Sequence, residues 1–367
     1  MNDVITGVDQ LTAKRLTKIL EKTDLFRQRY DVSIQDVHCT RQTTTWFAEI
    51  SFLEIIYSGK NPSSAPSRLF LKLSKPNLKP VDWVYCRKEV EFYNDVAKVM
   101  DNPPLAQCYD AIYDPETKRS HILLNDLSET HSQPQFPLPP SKLECELAMD
   151  CLASVHAYWW EHPRLETDLV NLSSGEVQNK EFLGMHHSLD ETDKIFNEFV
   201  DFLGDRLSIS RRKTYEKVFS SWPFTRTMER LSKRQYFTLV HGDAHAWNYL
   251  YPRDPQKDRV YLIDWHEWDV GLGTNDLAEM IVLWWYPERR AQLEQGLVRR
   301  YHLKLMEHSV KKYSWEQCWD DYRLSAIRIM LYPILMYAEG RSPTFWWPIL
   351  EKGILAFQDL NCIDLLE

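Results

Sequence analysis

The sequence predicts an α+β protein built in two lobes, and three observations predict it. Alternating apolar runs crowd the first 125 or so residues, helical spacing dominates from Lys142 onward, and the polar, proline-rich stretch NDLSETHSQPQFPLPP lies between them. The expected boundaries are a strand-rich N-terminal lobe over 1–124, a connection over 125–140 and a mainly helical C-terminal lobe over 141–367. With 44% hydrophobic and 26% charged residues, the chain has the composition of an ordinary globular protein with a substantial core.

Taken in order, the start MNDVITGVDQLTAKRLTKIL lacks the apolar centre of a signal peptide and reads as a short amphipathic helix. Phe47 to Tyr57 is rich in β-branched and aromatic residues and reads as a strand. In Arg68 to Ser74 the alternation puts Leu69, Leu71 and Leu73 on one face and leaves Lys72 on the other. The polar run SGKNPSSAPS joins these two strands. VDWVYCRKEVEFYNDVAKVM has helical spacing, with Glu89, Phe92, Tyr93, Val96 and Met100 on one stripe; a carboxylate there needs a partner if it is buried. Ser120 to Leu124 is a further strand. LECELAMDCLASVHAYWW opens the helical lobe, and more helical segments follow between Thr167 and Arg234. A strand–loop–strand unit over 236–264 interrupts them. Helices resume at Asp276 and run to the end, with loops at YPERR and GRSPTFWWP.

The charge balance, 44 basic against 53 acidic residues for a net −9, disfavours nucleic acid as a partner. No uninterrupted apolar run approaches the roughly 20 residues of a membrane span; MLYPILMY is short and broken by Pro333. Cys39, Cys86, Cys108, Cys145, Cys151, Cys318 and Cys362 form no C-x-x-C pair and read as reduced thiols in a cytoplasmic protein.

The chemistry concentrates in LVHGDAHAWNYLYPRDPQKDRVYLIDWHEWDVGLGTNDLAEM, residues 239–280. Asp243 and Asn248 stand five residues apart on a loop, the spacing between a kinase's catalytic base and its metal-binding amide. Asp264 closes the short run Val260 to Ile263, which reads as a strand delivering a carboxylate at its end. A hard cation such as Mg²⁺ takes such an oxygen set and fills its other positions with phosphate and water. A competing pattern is present in His241, Asp243 and His245, which alternate as metal ligands do in some metallohydrolases. Gly242 suits a loop, and the pairing of Asn248 with Asp264 has no use in that scheme.

His241-Gly242-Asp243 with Asn248, then Asp264-Trp265, then Gly271, Gly273 and Asp276-Leu277-Ala278, resemble the aminoglycoside phosphotransferase and choline kinase superfamily, with its ecdysteroid-kinase-like and hydroxylysine-kinase-like relatives. LFLKLS with Lys72, KEVEFY with Glu89, ILLNDL and SVHAYWW around His156 also match, in order, so the resemblance spans roughly 30–285. It implies a protein-kinase-like fold and an ATP- and Mg²⁺-dependent small-molecule kinase. Asp243 is then the base for an acceptor hydroxyl, and Asn248 and Asp264 hold the metal. Lys72 contacts the nucleotide phosphates and pairs with Glu89. His241 and Asp276 support the catalytic loop, Asp276 by accepting backbone N–H bonds, and His156 is a packed helix histidine.

One departure stands out. The stretch Cys39 to Trp46, where such folds cover the phosphates with glycines, has none. The hydroxyls of Thr43, Thr44 and Thr45 and the Arg41 guanidinium are the candidate replacements, and a catalytically weak, nucleotide-binding pseudokinase is the alternative reading. Adenine is expected at the connection, on the Asn125 carbonyl and the Leu127 N–H. For the acceptor, a small-molecule hydroxyl compound, the candidates are His245, Glu267, Asp269, Glu279, Trp285 and Trp346, within the stretch His266 to Asp269, the helix Glu279 to Trp285 and the loop around Phe345 to Trp347. Core packing is the competing explanation for the tryptophans.

Overall fold

The computed structural model describes residues 3–22, 33–58, 65–167, 189–221 and 235–366, with Leu169, Glu229, Arg230 and Lys233. Most of the expected loop between Tyr57 and Arg68 and much of the expected helical stretch 167–234 lie outside them. The chain divides into two compact units. One comprises Met1–Ser132 with Leu250–Glu267, the other Gln133–Tyr249 with Trp268–Glu367.

The first unit is built on five antiparallel strands, β1 (Ile34–Thr44), β2 (Ala48–Tyr57), β3 (Arg68–Ser74), β4 (Cys108–Asp114) and β5 (Arg119–Asn125), in the order β1-β2-β3-β5-β4. The alternation of β3 is realised: Leu69, Leu71 and Leu73 are buried with Leu53, Ile55 and Leu123 against Leu16, Ile19 and Leu20 of α1 (Ala13–Leu20). Thr12 caps α1 by accepting the Arg15 N–H. Helix α2 (Pro80–Glu91) starts with proline at its first position, where the missing N–H costs nothing, and the Lys79 N–H is met by Asp82 at 3.0 Å.

The helix expected through Met100 changes character at Glu91. Phe92–Val96 forms a π turn and Ala97–Val99 a 3₁₀ turn, yet Glu89, Phe92, Tyr93, Val96 and Met100 are all buried. The segment 250–267 completes this unit. Strands β6 (His131–Ser132) and β8 (Tyr249–Pro252) pair, and β9 (Tyr261–Leu262) joins their sheet. Arg259 donates to the Asn102 carbonyl at 2.9 Å and the Pro103 carbonyl at 2.7 Å, and the Leu262 N–H to the Pro104 carbonyl at 2.9 Å.

The second unit is helical around a two-stranded ribbon of β7 (Thr238–Val240) and β10 (Asp269–Gly271). Helix α3 (Lys142–Trp159) begins with a reciprocal cap between Ser141 and Glu144. It packs along α7 (Pro287–Glu307), where Arg300 grips Asp150 through two hydrogen bonds of 2.7 and 2.6 Å. Between them in sequence come α4 (Leu189–Leu203), α5 (Ile209–Ser220) and the short α6 (Thr274–Ala278). Helices α8 (Trp315–Ile329), α9 (Tyr332–Ala338) and α10 (Pro343–Asp359) finish the unit. Among the described residues no helix is long and apolar enough to cross a membrane.

Candidate active site

In the first unit, Lys72 gathers two acids. Its Nζ lies 2.7 Å from Glu89 Oε2 and 2.5 Å from Asp264 Oδ1. Burial alone would drive the ammonium toward neutrality, but the carboxylates of Asp264 and Glu89 outweigh it and hold Lys72 above its ordinary range. Burial likewise works against the Asp264 charge; Lys72 and then His266 reverse that and hold this carboxyl well below the usual range. For Glu89 burial wins, and its carboxyl is raised despite Lys72. His266 sits 3.1 Å from Asp264 and 3.6 Å from Glu267, and these acids overcome its burial and keep it protonated well above the ordinary histidine range.

The local fold explains how Asp264 arrives there. The expected strand Val260 to Ile263 shrinks to Tyr261–Leu262, because Asp264 takes φ of 68°, a left-handed conformation in which a strand cannot continue. Trp265 locks the turn. Its ring stacks on Phe92 at 4.0 Å and 7°, and its indole N–H donates to the Leu262 carbonyl at 3.1 Å. The tryptophan after the acid thus rests on the π turn that follows the helix carrying Glu89.

The glycine-free stretch is a tight hairpin. Thr43 and Thr44 pair with Ile50 and Glu49, the Thr45 N–H bonds the Ala48 carbonyl at 2.8 Å, and the Thr45 hydroxyl accepts the Ala48 N–H at 3.2 Å. Of the three threonines, Thr45 therefore has its hydroxyl engaged in the turn. At the end of β5 the Asn125 N–H donates to the Gln107 carbonyl at 2.8 Å, and the Leu127 carbonyl accepts the N–H groups of Thr130 and His131.

In the second unit, Val240 ends β7 and the loop that follows is held from beneath. Gly242 has φ of 81°, which glycine adopts without a Cβ clash. Asp276 accepts the His241 N–H at 2.7 Å and the Gly242 N–H at 3.0 Å. Burial opposes its charge, but His156 at 3.0 Å, with His241, keeps its carboxyl below the ordinary range. His156 is itself held at Nδ1 by the Tyr301 hydroxyl at 2.8 Å. Above this base, His241 Nδ1 accepts the Asp243 N–H at 3.2 Å, and Asn248 Nδ2 donates to the Asp243 carbonyl at 2.8 Å and to its Oδ2 at 3.1 Å. His245 Nε2 lies 3.5 Å from the same Oδ2.

Beside Asp243 stands an aromatic panel that the sequence reading did not assemble. Trp247 meets Trp284 edge-on at 5.0 Å, Phe136 at 4.8 Å and His245 at 5.4 Å, and Phe136 is 65% exposed. Trp247 lies inside the five-residue interval from Asp243 to Asn248, the one signal that pointed to it; Phe136, more than a hundred residues earlier, gave none.

Other expected acceptor residues sit differently. Glu267 belongs with His266 in the first unit, and Asp269 accepts the Val270 N–H at 2.7 Å within its strand. Glu279, Trp285 and Trp346 are buried, which turns an expected pocket wall into packing. Glu279 opens a π turn, Glu279–Leu283, and accepts from Arg328 and the Tyr332 hydroxyl. Trp285 lies under the Arg289 guanidinium at 5.0 Å. Trp346 is enclosed by Phe199 at 5.5 Å, Phe202 and Tyr337, with its N–H on the Arg341 carbonyl. The metallohydrolase pattern also fails on geometry. His241, Asp243 and His245 lie in a loop and not on one strand face, and among the described residues no cluster of three or more His, Cys, Asp or Glu is arranged to hold a metal ion.

Comparison with known proteins places the chain. The model of the ecdysteroid kinase-like family matches residues 81–314, well over half of the chain. The chain belongs to the ecdysteroid kinase-like family. No curated protein matches the sequence. Among solved structures, the GDP and kanamycin complex of APH(2″)-IIIa is 11% identical, covering 95% of this chain and 99% of that one with a TM-score of 0.50. An aminoglycoside phosphotransferase from Alicyclobacillus acidocaldarius is 12% identical over 89% and 91% of the two chains, with a TM-score of 0.49. The choline kinase LicA from Streptococcus pneumoniae is 12% identical over 94% and 99%, with a TM-score of 0.45. This ecdysteroid kinase-like chain therefore has the two-lobed α+β fold of the small-molecule kinases, and its family makes it a small-molecule phosphotransferase.

Proposed function

We propose that the protein transfers the γ-phosphoryl group of ATP to a hydroxyl of a small molecule, with Asp243 as the base. The observation that carries this reading is the fixed carboxylate of Asp243, held by Asn248 at 3.1 Å on a loop whose preceding N–H groups are bound by Asp276. Phosphoryl transfer depends on positioning and charge neutralisation more than on a strongly basic group, and a carboxylate so oriented suits it. Asp243 would align the acceptor hydroxyl and take its proton as the oxygen bonds to the γ-phosphorus, while the bond from that phosphorus to the bridging β-phosphate oxygen breaks and ADP leaves.

Asn248 and Asp264 would hold magnesium, and each brings an oxygen donor suited to it. With its Nδ2 engaged on Asp243, Asn248 presents its carbonyl oxygen, and Asp264 is a carboxylate kept charged by Lys72 and His266. Two hard protein oxygens, completed by phosphate and water, are an ordinary Mg²⁺ complement. Bound there, the ion would neutralise phosphate charge. Lys72, held by Glu89, would contact the phosphates, and Thr43 and Thr44 would lie over them. Adenine would be read by the Asn125 carbonyl and the Leu127 N–H.

For the acceptor, the panel of Phe136, Trp247 and Trp284 beside Asp243 and His245 supports a ring-bearing alcohol. Lys352 donates to the Trp284 carbonyl at 2.8 Å and steadies the main chain that carries this ring. That none of the seven cysteines is in a disulfide supports a reducing, cytoplasmic setting.

The test is transfer from labelled ATP to a panel of sugars, aminoglycosides, amino alcohols and carbocyclic alcohols. Wild-type protein should phosphorylate at least one, and Asp243→Asn should lower turnover by ~10²–10⁴ while nucleotide still binds. Near-normal turnover in that variant removes Asp243 from the mechanism. ATP binding without transfer to any acceptor would favour the pseudokinase reading, which the glycine-free hairpin alone supports.

A further inference from the structure

A second feature of the first unit lies apart from Lys72 and its acids. A shallow cavity of about 630 Å³ is lined by Val4, Thr6, Gln10, Arg15, Pro76, Asn77, Thr117 and Arg119. Three pieces of chain meet there: the N-terminal segment, the turn from β3 to α2, and the turn from β4 to β5.

Its charge is one-sided. Two guanidinium groups line it and no carboxylate does, in a chain of net charge −9. Both arginines are positioned by neutral groups. Arg15 Nη2 donates to the Asp3 carbonyl at 2.5 Å; Arg119 donates through Nε to Ser74 Oγ and through Nη2 to the Thr6 carbonyl, both at 3.3 Å. Among the described residues neither is paired with an acid. Asp114, the cross-strand neighbour of Arg119, directs its carboxylate to its own turn, accepting the N–H groups of Glu116 and Thr117 and the Thr117 hydroxyl. Each guanidinium carries five N–H donors, so each retains several beyond those used to hold it.

We infer that this cavity is a binding site for the phosphate group of a small molecule, separate from the nucleotide site. Guanidinium forks match the oxygens of a phosphate in pairs, and Asn77 and Gln10, the latter engaged with Thr6, line the cavity with them. The volume falls in the range of small-molecule sites, roughly 300–1,000 Å³, and exceeds what one phosphate fills. An occupant would tie the N-terminal segment to the turn Lys75 to Lys79, which joins the strand of Lys72 to the helix of Glu89. Occupancy would then steady the Lys72–Glu89 pair from behind.

Calorimetric titration of the full chain at constant ionic strength tests this, with inorganic phosphate and glycerol phosphate as probes. Wild-type protein and Lys72→Ala should bind saturably, since the site does not use Lys72. Arg15→Gln should weaken binding by about tenfold or more through loss of a charged donor. Asn77→Asp is the second variant. It keeps the turn, because aspartate tolerates the φ of 60° found there, and it sets a carboxylate in the lining, so it should weaken binding at least as much. Tighter binding of glycerol phosphate identifies an ester as the ligand, and equal binding identifies free phosphate; either supports the site. The inference is overturned if no probe binds saturably, if Lys72→Ala abolishes binding, or if Arg15→Gln and Asn77→Asp both bind as wild type does.

Discussion

Gly273 shows how closely the residues beneath the candidate base are fitted. A Cβ at this position would come 2.2 Å from the Tyr301 hydroxyl and 2.9 Å from His156 Nδ1, the two groups that share a hydrogen bond behind Asp276. Neither can yield without releasing the other, so Gly273→Ala should destabilise the protein by ~1–3 kcal/mol, as overpacking does. It should also lower turnover, because Asp276 holds the loop of Asp243. Thermal melting together with kinetics checks this, and an unchanged melting temperature would mean that the triad has room to move. The same scale explains what motif spacing conveys and what it omits. The interval from Asp243 to Asn248 is local, and the hydrogen bond from Asn248 to Asp243 follows directly from it. His266 was harder to place: its charge is set by its neighbours Asp264 and Glu267, but its ring packs against Phe47 and Tyr85, the first of them more than two hundred residues away.

Among elements, α10 carries the clearest structural load. Trp346 is 1% exposed and encircled by rings from α4 and α9, so Trp346→Ala should cost ~3–5 kcal/mol as a core deletion while leaving acceptor KM unchanged in protein that still folds. A raised acceptor KM at unchanged stability would return this residue to the pocket. The connection after β5 gives a second prediction. Leu127→Pro removes a backbone donor and should weaken ATP binding, whereas Asn125→Ala, which leaves the main chain intact, should not; nucleotide titration separates them. Elements with strong periodicity were legible in the sequence. The leucines of β3 and the capped, apolar α3 are examples, since burial of one face dictates both pattern and element. Less legible were places where the backbone leaves the regular period. The π turn after Glu91 widens the helix but keeps its buried stripe, so apolar spacing alone does not reveal it. The two-residue β9 is too short for alternation to register, and the panel of Phe136, Trp247 and Trp284 is assembled by tertiary structure from three separate segments.

For the molecule as a whole, metal dependence is the most direct measurement. If Asn248 and Asp264 serve magnesium, ATP should raise the melting temperature more with magnesium than without it, and Asp264→Ala should lose that difference. At a hundredfold excess over Kd the added stability is about 2.7 kcal/mol, well within reach of a melting experiment. Metal analysis of purified protein should find no stoichiometric zinc; finding it would revive the His241–His245 reading. The return of residues 250–267 to the first unit carries a consequence for how the protein is made. A ribosome that has completed residue 132 has produced all five strands of the main sheet, yet the partners of His131 and Ser132, the arginine that ties down Asn102 and Pro103, and the ring that stacks on Phe92 are still untranslated. Nascent chains must wait through more than a hundred further residues with the Phe92 face uncovered and Glu89 without Asp264 nearby. During that interval the growing chain is a natural client for chaperones that recognise exposed apolar surface.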